Sequence, residues 1–149
     1  MKKTTQHIGR AGELLVQYKL IKYGIDSSAM TTDYGIDLVA YSPRTMKAYT
    51  IQVKTHEKAT PSGGKGKLAL GWELREDSPA ELVAITDLSI DSVWLFTHAE
   101  FVDLAQQYSP KGIYQLYMYY DETVKTSKAV AFKSQFDKYL LEERVKTFF

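Results

Sequence analysis

The first long segment of the chain has the hydrophobic period of an α-helix. Its apolar side chains recur at intervals of three or four residues, at Ile8, Ala11, Leu14, Leu15, Tyr18 and Ile21. This spacing gathers them on one side of a helix, and Gly24 follows as a stop signal. The pattern predicts an amphipathic helix over residues 8–23.

Two segments in which apolar and polar residues alternate come next. Residues 36–41 and 47–55 both have the period of two that is typical of a half-buried strand. The residues between them include Ser-Pro-Arg-Thr at 42–45, which favours a turn. The pattern predicts a β-hairpin.

The remaining segments predict a mixed domain around a central sheet. Further strands are expected at 67–74, 81–87, 92–97 and 113–120, and further helices at 98–108 and 134–148. Residues 57–67 are rich in glycine, lysine and small side chains, and predict a flexible basic loop that could cover a ligand. This order of elements favours an α/β or α+β fold, and a length of 149 residues suits a single domain over residues 1–149.

Composition narrows the classes of function. No apolar run approaches the roughly 20 residues of a membrane span, so we expect a cytoplasmic protein. The absence of cysteine excludes disulfides, thiolate zinc sites and a cysteine nucleophile. The net charge is only +1, but residues 1–70 carry 11 Lys and Arg against 5 Asp and Glu, whereas residues 71–110 carry 1 against 8. A basic first half could face a phosphate backbone, although ordinary solvated charge explains it equally well.

The polar faces of the two hairpin strands carry the candidate chemistry. Paired residues of an antiparallel hairpin have numbers with a constant sum, so pairing Asp37 with Gln52 centres the turn between Arg44 and Thr45, inside the expected turn. Opposite side chains lie about 5 Å apart at Cβ, and Lys54 projects from the same face as Gln52. A carboxylate, an amide and an amine would therefore converge, although a solvated sheet surface is the commoner origin of such a triplet.

The predicted helix adds a second carboxylate, Glu13. At about 100° per residue, Glu13 shares a flank with Gly9, Val16 and Leu20, so it lies in an apolar stripe and needs a cation or a metal as its partner. Gly9 and Gly12 would allow the backbone of the sheet or of DNA to approach closely. A glutamate that simply interacts well with the helix N-terminus is the alternative.

Three segments together match a known pattern. They read Ile-Gly-Arg-Ala-Gly-Glu at 8–13, Asp-Tyr-Gly-Ile-Asp-Leu-Val-Ala at 33–40 and Tyr-Thr-Ile-Gln-Val-Lys-Thr at 49–55. Their combination resembles the PD-(D/E)XK nuclease superfamily, and looks closest to its Holliday-junction-resolvase-like and small homing-endonuclease-like members. In this family, a helix carries Glu, one strand carries Asp and another strand carries Glu-x-Lys or Gln-x-Lys. The corresponding residues in this chain are Glu13, Asp37, Gln52 and Lys54. The resemblance implies a restriction-endonuclease-like core, with a central mixed sheet flanked by helices.

The resemblance also implies a DNA endonuclease that depends on Mg²⁺, for which Mn²⁺ could substitute. The metal would be held by Asp37, the side-chain oxygen of Gln52 and the carbonyl of Val53. Glu13 would add a second or water-mediated contact to the metal. Lys54 would orient or deprotonate water, or stabilise charge on the phosphate.

Two departures from the family pattern bear on activity. Ile36 replaces the usual proline before the Asp, and Gln52 replaces the commoner Glu, so metal should bind more weakly. Asp33 is an alternative ligand, which we interpret mainly as a turn residue before Gly35. A catalytically inactive DNA-binding module of the same fold is the main alternative function, and a domain that binds a protein partner is a remoter one.

The DNA contacts expected from the sequence are mostly basic residues of the first half of the chain. They are Lys2, Lys3, Arg10, His56, Lys58, Lys65 and Lys67. The glycine-rich stretch at 62–67 is not a nucleotide-binding loop, because Pro61 stands at the first-glycine position and neither lysine precedes Ser or Thr. Because one such site nicks one strand, a homodimer or higher homo-oligomer is expected.

Overall fold

Two β-sheets and three α-helices make up the part of the chain that the computed structural model describes, residues 1–126 and 128–149. The helices are α1 (Thr5–Ile21), α2 (His98–Leu104) and α3 (Leu141–Phe148), and 3-10 turns lie at Ser62–Gly64 and Lys133–Tyr139. The strands are β1 (Asp26–Ala29), β2 (Leu38–Ser42), β3 (Lys47–His56), β4 (Thr60–Pro61), β5 (Leu68–Arg75), β6 (Leu82–Asp87), β7 (Ser92–Thr97), β8 (Gln107–Ser109) and β9 (Ile113–Tyr119). No helix among these residues is long and apolar enough to cross a membrane.

The path between β3 and β6 determines how the two sheets are joined. The first sheet has the strand order β1-β2-β3-β6-β7, in which β3 and β6 run parallel and the other neighbours antiparallel. The second sheet has the order β4-β5-β9-β8 and is antiparallel. Parallel neighbours need a crossover connection, which here contains β4 and β5. The second sheet therefore starts directly after the C-terminal end of β3.

Different layers cover the two faces of the first sheet. One face contributes Leu38, Ala40, Ile51, Leu82 and Ala84 to a core shared with α1 and α3. The other face contributes Val83, Ile85, Trp94 and Phe96 to a core shared with β5 and β9. Gln52 pairs with Val83 and Lys54 with Ile85, and paired neighbours project from the same face. The polar face of β3 is therefore partly covered by the second sheet rather than being an open solvated surface.

Helix α1 is capped at its start and packs closely against β3 at a glycine. Thr4 Oγ1 accepts the His7 N–H at 3.3 Å, and the His7 ring accepts the Thr4 N–H at 3.1 Å. Gly12 is buried, and a Cβ at this position would lie 1.9 Å from Thr55 Oγ1. Because glycine alone permits this approach, α1 brings the next residue, Glu13, beside the C-terminal end of β3. The close approach predicted at Gly12 is made by the sheet.

The predicted elements are confirmed, with differences at several ends. The first helix begins earlier than predicted, at Thr5, because of its cap, and α2 ends at Leu104, where residues 105–108 were expected to remain helical. The helix predicted at 134–148 is divided, because Leu140 forms an isolated β-bridge with Trp94 that separates a 3-10 turn from α3. The alternation of residues predicts neither the short strands β1, β4 and β8 nor the separation of the strands into two sheets. The segment 57–67, expected to be a flexible loop, contains β4 and a 3-10 turn.

Candidate active site

The candidate site lies where β3 extends beyond its neighbour β2. The predicted hairpin register is confirmed, because Leu38 pairs with Ile51 and Ser42 with Lys47, numbers with the same sum as 37 and 52. The ladder stops at Leu38, whereas β3 continues to His56. The edge of β3 that faces β2 is therefore free of a strand partner after Ile51.

Asp37 occupies this free edge of β3. Its N–H donates to the Ile51 carbonyl at 2.9 Å, and its Oδ2 accepts the Val53 N–H at 2.6 Å. The carboxylate therefore takes the place of a backbone acceptor, and Asp37 lies just outside the ladder rather than in a regular pair with Gln52. Because the N–H and C=O of one strand residue point to the same side, the Val53 carbonyl also faces this edge.

The surroundings of Asp37 favour its neutral form. Burial raises the pKa of Asp37 above its ordinary value, and the charges of Glu13 and Asp33 raise it further. The Val53 N–H and, to a smaller extent, the Lys54 ammonium oppose this by lowering the pKa of Asp37. The carboxylates of Glu13 and Asp33 are thus each close enough to disfavour a negative charge on Asp37, which makes this edge favourable for a cation.

Glu13 and Lys54 reach the same place from opposite faces of the sheet. Both line a cavity of about 450 Å³, whose walls also include Gly9, Val53 and His56. Glu13 is fixed by an ion pair with Arg10 at 2.7 Å, and its side chain keeps 24% of its exposure. The partner that its apolar position requires is therefore a cation on the same helix. The open end of β3 allows the helix residue and the strand residue to line the same cavity around the sheet edge.

Gln52 points into a neighbouring cavity instead. This cavity of about 330 Å³ is also lined by Asp33, Gly35 and Ser78. The Ser78 hydroxyl donates to Gln52 Oε1 at 2.8 Å, which leaves the second lone pair of this oxygen for another partner. Asp33 Oδ1 accepts the Gly35 N–H at 3.2 Å, so its interpretation as a turn residue is confirmed. Ser78 is a part of the site that nothing in the sequence indicates.

The donor set of the site suits a hard cation. The carboxylates of Glu13 and Asp37 and the Val53 carbonyl lie at the edge of β3, the Gln52 amide oxygen lies in the adjoining cavity, and Mg²⁺ prefers oxygen ligands of this kind. Oδ1 of Asp37 makes no hydrogen bond with any described residue, so it is available to a ligand. In the described part of the chain no group of three or more His, Cys, Asp or Glu could hold a metal. A metal bound at this edge would therefore have to use uncharged oxygens, such as those of Gln52 and Val53, beside the carboxylates.

The predicted DNA contacts divide into paired and exposed residues. Lys3 pairs with Glu57, Arg10 with Glu13, and Lys67 with Asp121 at 3.5 Å. The exposed residues without such an ion pair in the described chain are Lys2, Lys58 and Lys65.

His56 differs from the other predicted contacts, because its Nε2 is engaged by the Gly71 carbonyl. Its ring also packs against Trp72 with centroids 5.6 Å apart. His56 thus links the end of β3 to the second sheet, a contact that the sequence does not indicate.

The fold is an α+β domain with a central mixed sheet flanked by helices. It is similar to the solved structure of a bacterial homing endonuclease, I-Ssp6803I, with a TM-score of 0.60 over 93% of this chain and 88% of that chain. The sequence identity is 15%, so the likeness is one of fold. No protein-family model and no curated protein matches the chain. The mixed α+β fold with a central mixed sheet that the three sequence segments imply is therefore confirmed, whereas membership of the superfamily and its branch stay predictions.

Proposed function

We propose that the protein is a metal-dependent DNA endonuclease that hydrolyses phosphodiester bonds. The observation that carries this proposal is the position of Asp37, whose carboxylate caps the free edge of β3 beside Val53 and within electrostatic reach of Glu13 and Lys54. The likeness in fold to a homing endonuclease supports DNA as the substrate. Two copies acting together would cut both strands.

Each residue of the site has a separate task in this reaction. Asp37, Gln52 and the Val53 carbonyl would hold Mg²⁺, or Mn²⁺ in its place, and Glu13 would contact it directly or through water. When bound, the metal supplies charge stabilisation at the phosphate and lowers the pKa of its water. Lys54 Nζ holds a proton close to the reacting phosphate, where it orients the water and stabilises developing negative charge. The remaining free edge of β3 leaves room for the DNA backbone.

A DNA-binding module without catalysis is the second candidate. It is favoured by one observation, namely that Gln52 brings no charge and already accepts a hydrogen bond from Ser78. Nicking of supercoiled DNA against Mg²⁺ concentration separates the two candidates. Lys54→Ala should lower nicking by about a hundredfold or more, the usual order for removal of an acid-base or electrostatic group, while DNA affinity changes little. Gln52→Ala should need much more Mg²⁺, whereas Gln52→Glu should remain active.

Asp37→Asn provides the sharpest control. Asparagine keeps an acceptor for the Val53 N–H but removes the charge. Because a raised pKa means that ionised Asp37 costs folding stability above that pKa, the metal-free variant should melt at or above the wild-type temperature at pH 7 while nicking is lost. A wild-type protein that binds DNA but shows no metal-dependent nicking of plasmid, branched or library substrates would establish the binding module instead.

A further inference from the structure

A second cavity borders the same three residues of β3 that line the candidate active site. Lys54, Thr55 and His56 form one side of this cavity of about 350 Å³, and its other side consists of Gly71, Trp72, Glu73, Gln115 and Tyr117. The same three residues also line the 450 Å³ cavity that contains Glu13. A continuous surface therefore runs from α1, across the end of β3, onto the outer face of β5 and β9.

The second sheet is narrow at this point. Its strand β4 pairs with β5 only at Leu68 and Ala69, and β8 pairs with β9 at residues 113–115. Between these ends, within the described chain, β5 and β9 form a two-stranded ribbon around the pair Gly71 and Tyr117, where the Gln106 side chain bonds to the outer edge of β9. Glu73 and Gln115 form the pair at the end of this ribbon, where β8 joins β9. The major groove of B-DNA is about 12 Å wide and admits a two-stranded ribbon of this kind.

The outer face of the ribbon holds a chain of hydrogen bonds. The Tyr117 hydroxyl donates to Gln115 Oε1 at 3.0 Å, and Gln115 Nε2 donates to Glu73 Oε1 at 2.8 Å. Gly71 makes room for the tyrosine ring, because a Cβ there would lie 2.8 Å from a ring carbon of Tyr117. Glu73 is exposed, and its Oε2 accepts no hydrogen bond from a described residue. The ribbon therefore presents a carboxylate oxygen that is oriented before any ligand binds.

The chemistry of this face suits base edges rather than phosphates. A carboxylate repels the DNA backbone, whereas glutamate accepts a hydrogen bond from the cytosine amino group in the major groove. Glutamine, such as Gln115, pairs with the edge of adenine. Phosphate contacts can be made instead by Lys58, which lines the cavity on the helix side. Backbone and base contacts are thus separated on the two sides of the end of β3.

We propose that the β5–β9 ribbon enters the major groove beside the scissile phosphate, and that Glu73 and Gln115 select the base sequence that is cut. Glu73 selects a base that carries an amino group, with cytosine foremost. This inference rests on the proposed function for its substrate, duplex DNA. It makes the second sheet the element that determines sequence preference, within a few base pairs of the cleaved bond.

The test combines selection from a randomised duplex library, bound in Ca²⁺, with nicking of the selected sequences in Mg²⁺. The variants are Glu73→Gln, which keeps the hydrogen bond to Gln115 but adds a donor, and Glu73→Ala. Glu143→Gln is the matched control, because Glu143 is an exposed glutamate on α3, which packs against the opposite face of the first sheet. We expect the wild type to enrich cytosine at one position, and both Glu73 variants to lose that preference by about 5- to 100-fold. The control should retain it.

Separate readouts distinguish this inference from the proposed function. Glu73 variants that enrich the same bases as the wild type with the same strength would overturn the base-reading role, whatever the nicking rates are. A wild-type protein that nicks no DNA, but whose base preference shifts in Glu73→Gln, would overturn the enzyme and support the base-reading ribbon. Glu73 variants that nick their own best sites at the wild-type rate would support a role confined to recognition.

Discussion

Replacing Gly12 by alanine tests whether the contact between α1 and β3 positions the site. The new Cβ would lie 1.9 Å from Oγ1 and 2.8 Å from Cβ of Thr55. Rotation about χ1 can move Oγ1 away but leaves Cβ in place, because Thr55 is fixed in the ladder with Thr86. Moving the Cβ contact from 2.8 Å to the ordinary 3.4 Å therefore requires a displacement of the helix of about 0.6 Å.

The net effect on stability follows from two opposing terms. Overpacking of this kind lowers the free energy of unfolding by about 1–3 kcal/mol. Exchanging glycine for alanine inside a helix raises it by up to about 1 kcal/mol. We expect Gly12→Ala to lose roughly 1–2 kcal/mol, which lowers the melting temperature by about 3–8 °C in a domain of this size. Because Glu13 moves with the helix, nicking should fall about tenfold or more.

Gly9→Ala is the matched control on the same helix. A Cβ at Gly9 would meet nothing within 4 Å in the described chain, so the helix propensity alone remains and the melting temperature should rise. Adding Thr55→Ala to Gly12→Ala removes the close Oγ1 and Cγ2 contacts but leaves the Cβ contact, and should restore part of the stability. Thermal melts of the four proteins decide the matter. If Gly12→Ala melts as high as Gly9→Ala, the packing of α1 on β3 is not what positions Glu13.

Two further predictions concern the basic loop and a buried carboxylate. Neutralising Lys58, Lys65 and Lys67 together should weaken DNA binding. The slope of log affinity against log salt should fall by up to about 0.9 for each phosphate that these lysines neutralise in the wild type. An unchanged slope would show that DNA binds to another surface. The Tyr120 hydroxyl donates to the buried carboxylate of Asp87 at 3.0 Å, and burial together with this bond raises the pKa of Tyr120 to about 12. Because the pKa of Tyr120 is higher in the folded protein, its protonated hydroxyl stabilises the fold fully below pH 10.0, and this contribution is lost as the pH rises towards 12. The stability advantage of the wild type over Tyr120→Phe should therefore shrink between these pH values. Chemical denaturation of both proteins across this range measures it, and a constant difference would contradict the assignment.

The hairpin could be predicted from the sequence because its determinants are local. Alternation identified the strands, and the constant sum of paired numbers located the turn, so Leu38 and Ile51 face each other as expected. The same rule could not show that the ladder stops at Leu38, because the departure of Asp37 depends on its side chain accepting the Val53 N–H. A side chain that accepts a hydrogen bond in place of a backbone carbonyl does not change the hydrophobic pattern of the sequence.

The features that the sequence did not predict depend on distant partners. The break before α3 arises from a bridge between Leu140 and Trp94, residues separated by most of the second half of the chain. The position of Gln52 depends on Ser78, which is 26 residues later and belongs to the turn before β6. Periodicity reports which face of an element is buried but not what covers it, so the second sheet over the polar face of β3 could not be predicted.

The structure also gives a physical reason for glutamine at position 52. Burial and the charges of Glu13 and Asp33 already raise the pKa of Asp37, and a carboxylate at position 52 would add repulsion in the metal-free protein. The amide supplies an oxygen without that charge, and the Ser78 hydroxyl holds it in place at 2.8 Å. If the proposed function is right, glutamine makes metal binding weaker and the metal-free protein more stable. Gln52→Glu should then melt lower than the wild type without Mg²⁺ and gain more stability when Mg²⁺ is added. Equal melting temperatures of the two metal-free proteins would show that residue 52 lies too far from Asp37 for charge to matter.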